Sequence, residues 1–113
     1  MKYDKLKQKW FLEKLERKRR SEEMMSTVIS KGMPLFRSFG LHKVVLFGSV
    51  VDGRSGEDSD IDIFVLPLSG DQYWSLRHEL EQALDHPVDL YTQDDDYRFV
   101  KKILQRGEVI YEI

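Results

Sequence analysis

The pattern of apolar and polar residues predicts a long helical region at the start of the chain. Residues 3–33 place apolar side chains at helical spacing among Lys, Arg and Glu. Ser21 either caps a second helix or lies within a continuing one. We expect Pro34 to break or kink this region, because proline cannot donate the next helical hydrogen bond, and Gly40 to end it.

The rest of the chain alternates short apolar runs with helical patterns, separated by turns. The predicted strands cover residues 43–47, 60–66, 88–92 and 108–113, the predicted helices cover 71–84 and 94–105, and residues 50–59, including Asp58, form a polar turn region. A helix joins the second and third strands, so these should be parallel. The expected fold class is therefore α/β, a small mixed sheet packed against helices with an extra N-terminal helical segment.

Composition adds an uneven charge and excludes several classes of protein. Residues 1–20 contain nine Lys/Arg against three Asp/Glu, whereas residues 21–113 contain nine against seventeen, so a basic start precedes an acidic body. The 113 residues suit one domain. The chain has no cysteine, which excludes disulfides and thiolate sites. It has no apolar run of membrane-spanning length and no apolar signal core, so we expect a cytoplasmic protein without a membrane partner.

Two aspartates at the start of the second predicted strand are the strongest chemical signal. Asp60 and Asp62 are two residues apart, so on a strand they point to the same face, while Ile61 and Ile63 point to the other. Neighbouring carboxylates repel each other unless a cation lies between them, and Mg²⁺ prefers such oxygen ligands. An isolated Asp-x-Asp is more commonly a solvated polar face, but the apolar flanks favour a central strand here.

Gly48 and Ser49 directly follow the first predicted strand. Glycine lets a phosphate approach the backbone closely, and serine can cap a short helix whose amides attract anions. The alternative is an ordinary strand exit. Ten residues separate Ser49 from Asp60, which allows a phosphate-binding turn and a metal-binding pair to meet at one end of the sheet.

A third carboxylate, Asp89, lies in the third predicted strand. If that strand neighbours the second, Asp89 joins the pair and can accept or steer the proton of an attacking hydroxyl. Otherwise it is a polar residue on an exposed edge strand. Residues 94–96, three aspartates in a row, are better interpreted as a helix N-terminal cluster.

The run Leu46-Phe47-Gly48-Ser49, ten residues, then Asp60-Ile61-Asp62 resembles the signature of minimal nucleotidyltransferases of the DNA polymerase β-like superfamily. The resemblance covers about residues 34–113. It divides the chain into a basic helical N-terminal extension, 1–33, and a nucleotidyltransferase domain, 34–113.

The resemblance implies the chemistry and the partner. Gly48 and Ser49 would hold a nucleoside triphosphate, normally ATP. Asp60, Asp62 and Asp89 would be the catalytic carboxylates and would bind two Mg²⁺ ions. Many small members resemble antitoxins whose partner is a helical HEPN-domain toxin, and some transfer AMP to a tyrosine of that partner.

The sequence departs from the family pattern at two places, and it allows two functions other than the modification of a partner protein. Relatives often have arginine three residues after the motif serine, whereas this chain has Asp52, with Arg54 nearby. The extension is a docking or dimerisation helix, a basic arm for nucleic acid, or a solvated helix on the domain. Instead of modifying a partner protein, the chain could neutralise it by occlusion alone, or could modify a small molecule such as an antibiotic from a homodimer.

Overall fold

The computed structural model describes residues 2–56 and 59–113, with the backbone alone at residues 2 and 3, so the predicted turn residue Asp58 lies outside the described part. The elements follow one another as α1 (Lys2–Ser38), β1 (Lys43–Phe47), α2 (Ser49–Asp52), β2 (Ile61–Leu66), a 3₁₀ turn (Gly70–Gln72), α3 (Tyr73–Leu84), β3 (Val88–Thr92), α4 (Tyr97–Arg106) and β4 (Glu108–Glu112). The four strands coincide with the predicted ones to within one residue at each end.

The strands form one mixed sheet in the order β3-β2-β1-β4. β2 and β3 are parallel, as predicted from the helix that joins them, and β1 is antiparallel to both β2 and β4. The expected α/β class with a small mixed sheet is confirmed. Because β1 and β2 are antiparallel neighbours, with Phe47 opposite Asp62, the end of β1 lies beside the start of β2.

Alternate residues of each strand face two different layers. One face carries Val44, Leu46, Ile61 and Ile63, which are buried in the main core together with apolar residues of α1 and α3. The other face is covered by α4, where Ile103 packs against a smaller core of strand residues. The burial of Ile61 and Ile63 in the main core leaves the intervening Asp62 on the α4 side.

The prediction that Pro34 breaks the first helix was wrong, whereas a kink at Pro34 stays a prediction. α1 continues as one helix of 37 residues from Lys2 to Ser38, and Ser21 lies within it. Proline removes one helical hydrogen bond, to the carbonyl of Ser30, but Ser30 and Pro34 are both exposed, so water can satisfy that carbonyl. Phe36, fully buried in the core, favours continuation of the helix. Gly40 ends the helical region at a positive φ of 67°, as predicted.

The start of α4 also differs from the prediction. The helix begins at Tyr97 rather than at residue 94, because Asp96 caps it by accepting hydrogen bonds from the amides of Arg98 (3.0 Å) and Phe99 (3.2 Å). Asp95 instead accepts from the amide of Thr92 at 2.7 Å and closes the preceding turn.

The first half of α1 extends beyond the sheet. A helix of this length measures about 55 Å, and the chain is 58 Å long but only 29 Å and 22 Å in its other dimensions. Large apolar side chains on this half are exposed, with Trp10 and Phe11 each 62% accessible. None of the helices in the described part of the chain is apolar over a membrane-spanning length. The predicted boundary between the N-terminal extension, residues 1–33, and the domain, residues 34–113, stays a prediction.

Candidate active site

The backbone of Gly48 lies against the side chain of Asp62. β1 ends at Phe47, and Gly48 then takes a φ of 75° and a ψ of −147°, a conformation open essentially to glycine alone. A Cβ added at Gly48 would collide with Oδ2 of Asp62 and lie 3.2 Å from its Cγ. The tertiary structure therefore joins the two halves of the sequence motif, with no room for a side chain between them.

Ser49 is the first residue of α2 rather than its cap. Gly48 occupies the capping position, and among the described residues no side chain caps this helix. The predicted capping role of Ser49 was therefore wrong, because the sharp turn at Gly48 already brings Ser49 into the helix.

The turn that follows β1 is held in place by α1. The hydroxyl of Ser21, which is buried, accepts a hydrogen bond from the amide of Ser55 at 3.1 Å and donates one to the carbonyl of Ser49 at 3.4 Å. Ser21 thus ties together both ends of the α2 turn. The sequence drew attention to Ser21 only as a helix cap, since its contacts are with residues far along the chain.

Two of the three predicted carboxylates, Asp62 and Asp89, lie side by side on the α4 face of the sheet, and Asp60 lies near enough for its charge to act on Asp62. Asp62 and Asp89 are paired in register on the parallel strands β2 and β3, so their side chains are neighbours on the same face. Asp60 is exposed and precedes β2 by one residue. Asp89 was predicted to join the other two carboxylates if the third strand neighbours the second. β3 does neighbour β2, although it is also an edge strand.

The cluster holds Asp62 in an unusual electrostatic state. The pKa of Asp62 is raised to about 6, first by burial and then by the negative charges of Asp89 and Asp60 and a hydrogen bond with Asp89. Burial, followed by the charges of Asp89 and Asp62, also raises the pKa of Tyr91. The side chains around Asp62 therefore disfavour its negative charge, and a nearby cation would reverse that preference.

The chemistry of these carboxylates fits a divalent cation. Asp60, Asp62 and Asp89 offer hard oxygen ligands whose mutual repulsion a cation would relieve. Within residues 2–56 and 59–113, however, no three acidic or histidine side chains already converge closely enough to form a finished metal site. Asp62 and Asp89 are the best-placed pair, because they are neighbours on adjacent strands.

An aromatic cluster that the sequence did not single out borders the carboxylates. Phe47, Tyr91 and Phe99 pack with ring centroids 5.2 to 6.0 Å apart. Tyr91 lies two residues after Asp89 on the same strand face, which is the signal that could have identified it. Phe99 comes from α4, and its proximity depends on how that helix packs on the sheet.

Comparison with protein families shows the family to which this chain belongs. The family model described as "Polymerase beta, Nucleotidyltransferase" matches residues 33–113. The chain belongs to the polymerase β nucleotidyltransferase family. That match contains β1 to β4 and all five motif residues on which the site was predicted, so this nucleotidyltransferase has its family's fold around the Gly48 turn.

Individual relatives agree with the family assignment. The chain is 34% identical over 94 residues to the protein adenylyltransferase MntA of Thermococcus cleftensis, covering 80% of this chain and 93% of that protein. It is similar to a chain in the crystal structure of a toxin–antitoxin with AMP-PNP, with a TM-score of 0.66 and 28% identity over 75% of this chain and 73% of that one. It also resembles a minimal nucleotidyltransferase, with a TM-score of 0.57 and 27% identity over 78% and 86% of the two chains.

Proposed function

We propose that this nucleotidyltransferase transfers AMP from ATP to a hydroxyl group of a partner protein, as the antitoxin of a toxin–antitoxin pair with a HEPN-domain toxin. The observation that carries the proposal is the contact of the Gly48 backbone with Asp62, which itself faces Asp89. A phosphate at the glycine turn would then be adjacent to the carboxylates. Similarity to a protein adenylyltransferase and to a toxin–antitoxin chain supports the choice of donor and partner.

Each residue of the site has a defined part in the proposed reaction. Gly48 and Ser49 hold the triphosphate, and the missing side chain of Gly48 keeps this turn in contact with the Asp62 carboxylate. Asp60, Asp62 and Asp89 hold two Mg²⁺ ions, which when bound would offset the charge of the phosphates and of the leaving group. The acceptor hydroxyl oxygen bonds to the α-phosphorus while the bond from that phosphorus to the β-phosphate oxygen breaks, and pyrophosphate leaves. Asp89 directs the hydroxyl proton towards solvent.

The acceptor would come from another molecule. Asp62 and Asp89 are only half-buried and Asp60 lies outside the strand, so the site is open on the α4 side of the sheet. The first half of α1 presents Leu6, Trp10, Phe11 and Leu15, each 46% to 62% accessible, as a surface on which a partner could dock and bring its hydroxyl to the site. Positioning of this kind can supply much of the rate acceleration.

The test uses ATP labelled at the α-phosphate, incubated with Mg²⁺, the purified protein and a HEPN-domain toxin from the same organism as the candidate partner. We expect label on the partner with the wild type and none with Asp60→Ala/Asp62→Ala, while Asp71→Asn, an exposed acidic position away from the site, behaves as the wild type. If the double variant still neutralises the toxin as well as the wild type does, occlusion rather than transfer is the function. Label on a small hydroxyl compound without any second protein would instead support a small-molecule enzyme.

A further inference from the structure

A cavity of about 210 Å³ opens between the Gly48 turn and α4. Its polar lining consists of the backbone of Gly48 and the side chains of Asp52, Lys102 and Arg106, and its apolar lining comes from Phe47, Phe99 and Ile103. Pockets that enclose a whole small-molecule ligand generally measure about 300–1,000 Å³. This cavity is therefore the size for part of a nucleotide.

The packing of α4 places two positively charged side chains, Lys102 and Arg106, at this cavity. Phe99, Lys102 and Arg106 are spaced by three and four residues, so they lie along one side of the helix. Gly107 then ends the helix against β1, since a Cβ there would collide with Val45 and lie 2.9 Å from the carbonyl of Leu46. Arg106 is consequently held close to the end of β1, where the Gly48 turn begins.

The charges in the cavity favour an anion despite Asp52. Among the residues that the structure describes, neither Lys102 nor Arg106 forms an ion pair, and both are exposed. The carboxylate of Asp52 already accepts a hydrogen bond from Arg54 at 2.7 Å, which offsets its charge. Two cations thus face one carboxylate that has its own partner.

The cavity also lies on the same side of the sheet as the carboxylates Asp62 and Asp89. Phe47 and Ile103, which line it, belong to the α4 face, and this is the face on which Asp62 and Asp89 lie. A second cavity, where Lys14 and Lys18 are balanced by Glu22 and Asp52, lies between α1 and α2 beside Val50, which belongs to the main core. Phosphates that continue from one held at the carboxylates can reach the first cavity without crossing the sheet.

We propose that Lys102 and Arg106 bind the β- and γ-phosphates of the donor nucleotide in this cavity and hold pyrophosphate as it leaves. This inference rests on the proposed function and specifies the phosphate-binding side chains that the sequence motif lacks. Arginine can bind a phosphate through two parallel hydrogen bonds and lysine supplies a compact charge. Both would counter the negative charge that pyrophosphate gains as its bond to the α-phosphorus breaks.

Binding of ATP, AMP and inorganic tripolyphosphate, measured by calorimetry with Mg²⁺ present, tests the proposal. We expect Lys102→Ala and Arg106→Ala each to weaken ATP and tripolyphosphate binding by about tenfold, equal to about 1.4 kcal/mol, and to leave AMP binding unchanged. Lys101→Ala, an exposed lysine of the same helix outside the cavity lining, should match the wild type in all three.

The outcomes separate this inference from the proposed function. If the Lys102→Ala/Arg106→Ala variant binds tripolyphosphate and ATP as tightly as the wild type, or if the wild type binds neither, the inference is wrong. If tripolyphosphate binding depends on these two residues but the wild type labels no partner, the phosphate site stands and the proposed transfer fails. If the Lys102→Ala/Arg106→Ala variant labels the partner as well as the wild type does at subsaturating ATP, the proposed transfer stands and the phosphate site is wrong.

Discussion

Replacement of Asp62 by asparagine should stabilise the protein in the absence of divalent cations. The pKa of Asp62 rises from 3.8 to about 6 on folding, first through burial and then through Asp89 and Asp60. At about 1.36 kcal/mol per pKa unit this increase corresponds to about 3 kcal/mol. Because Asp62 is only half-buried, solvent screening reduces the expected gain to about 1 kcal/mol.

The pH dependence of this gain has a defined sign. The folded-state pKa is higher than the unfolded value, so between about pH 4 and pH 6 the folded protein binds more protons, and its stability falls as the pH rises through this interval. The asparagine side chain of the variant has no charge to titrate. The advantage of Asp62→Asn should therefore be near zero at about pH 4 and complete above about pH 7.

Urea unfolding with EDTA at about pH 4.5 and about pH 7.5 measures this difference. Asp71→Asn, at an exposed position, controls for the general effect of losing a negative charge. Addition of Mg²⁺ at about pH 7.5 should stabilise the wild type more than Asp62→Asn, because a ligand stabilises the state that binds it. Equal stability of variant and wild type at about pH 7.5 in EDTA, or an advantage that grows as the pH falls, would refute the electrostatic reasoning.

Three further substitutions test how the site is held. Gly48→Ala should destabilise the fold by about 1–3 kcal/mol and abolish AMP transfer, because its Cβ would displace the Asp62 carboxylate; urea unfolding and the labelling assay measure the two effects. Gly107→Ala should cost about 1–3 kcal/mol by pushing α4 from β1, and unchanged urea unfolding would contradict it. Ser21→Ala should cost about 1–3 kcal/mol by leaving the buried amide of Ser55 without its partner, and faster hydrogen exchange at that amide would be the sign.

Local pattern accounts for much of the fold. The strands were predictable because each is a short apolar run bounded by turn residues, and the parallel pairing of β2 and β3 followed from the helix between them. The shared face of Asp62 and Asp89 was predictable for a related reason, since side chains alternate along a strand and the two residues are paired on neighbouring strands. Asp60 lies one residue before β2, so this alternation does not set the direction of its side chain.

Local rules failed where packing or solvent offset them. Pro34 was expected to break or kink α1, but the helix continues through it, since Ser30 and Pro34 are exposed and Phe36 is buried beyond them. Ser49 was expected to cap α2, but the conformation of Gly48 places Ser49 one position further into the helix. In each case the outcome depends on neighbouring residues or on solvent, which the helix preference of a single residue does not take into account.

Residue type and spacing were enough to predict a candidate site at Gly48, Ser49 and the three aspartates, and the chemical roles of these side chains stay a prediction. What surrounds them became visible only in three dimensions. The contact of Gly48 with Asp62, the hydrogen bonds of Ser21 to the α2 turn, and the cavity that joins Gly48 to Lys102 and Arg106 all link residues distant in sequence. Such contacts depend on how α1 and α4 pack on opposite faces of one sheet, and periodicity along the chain does not encode that packing directly.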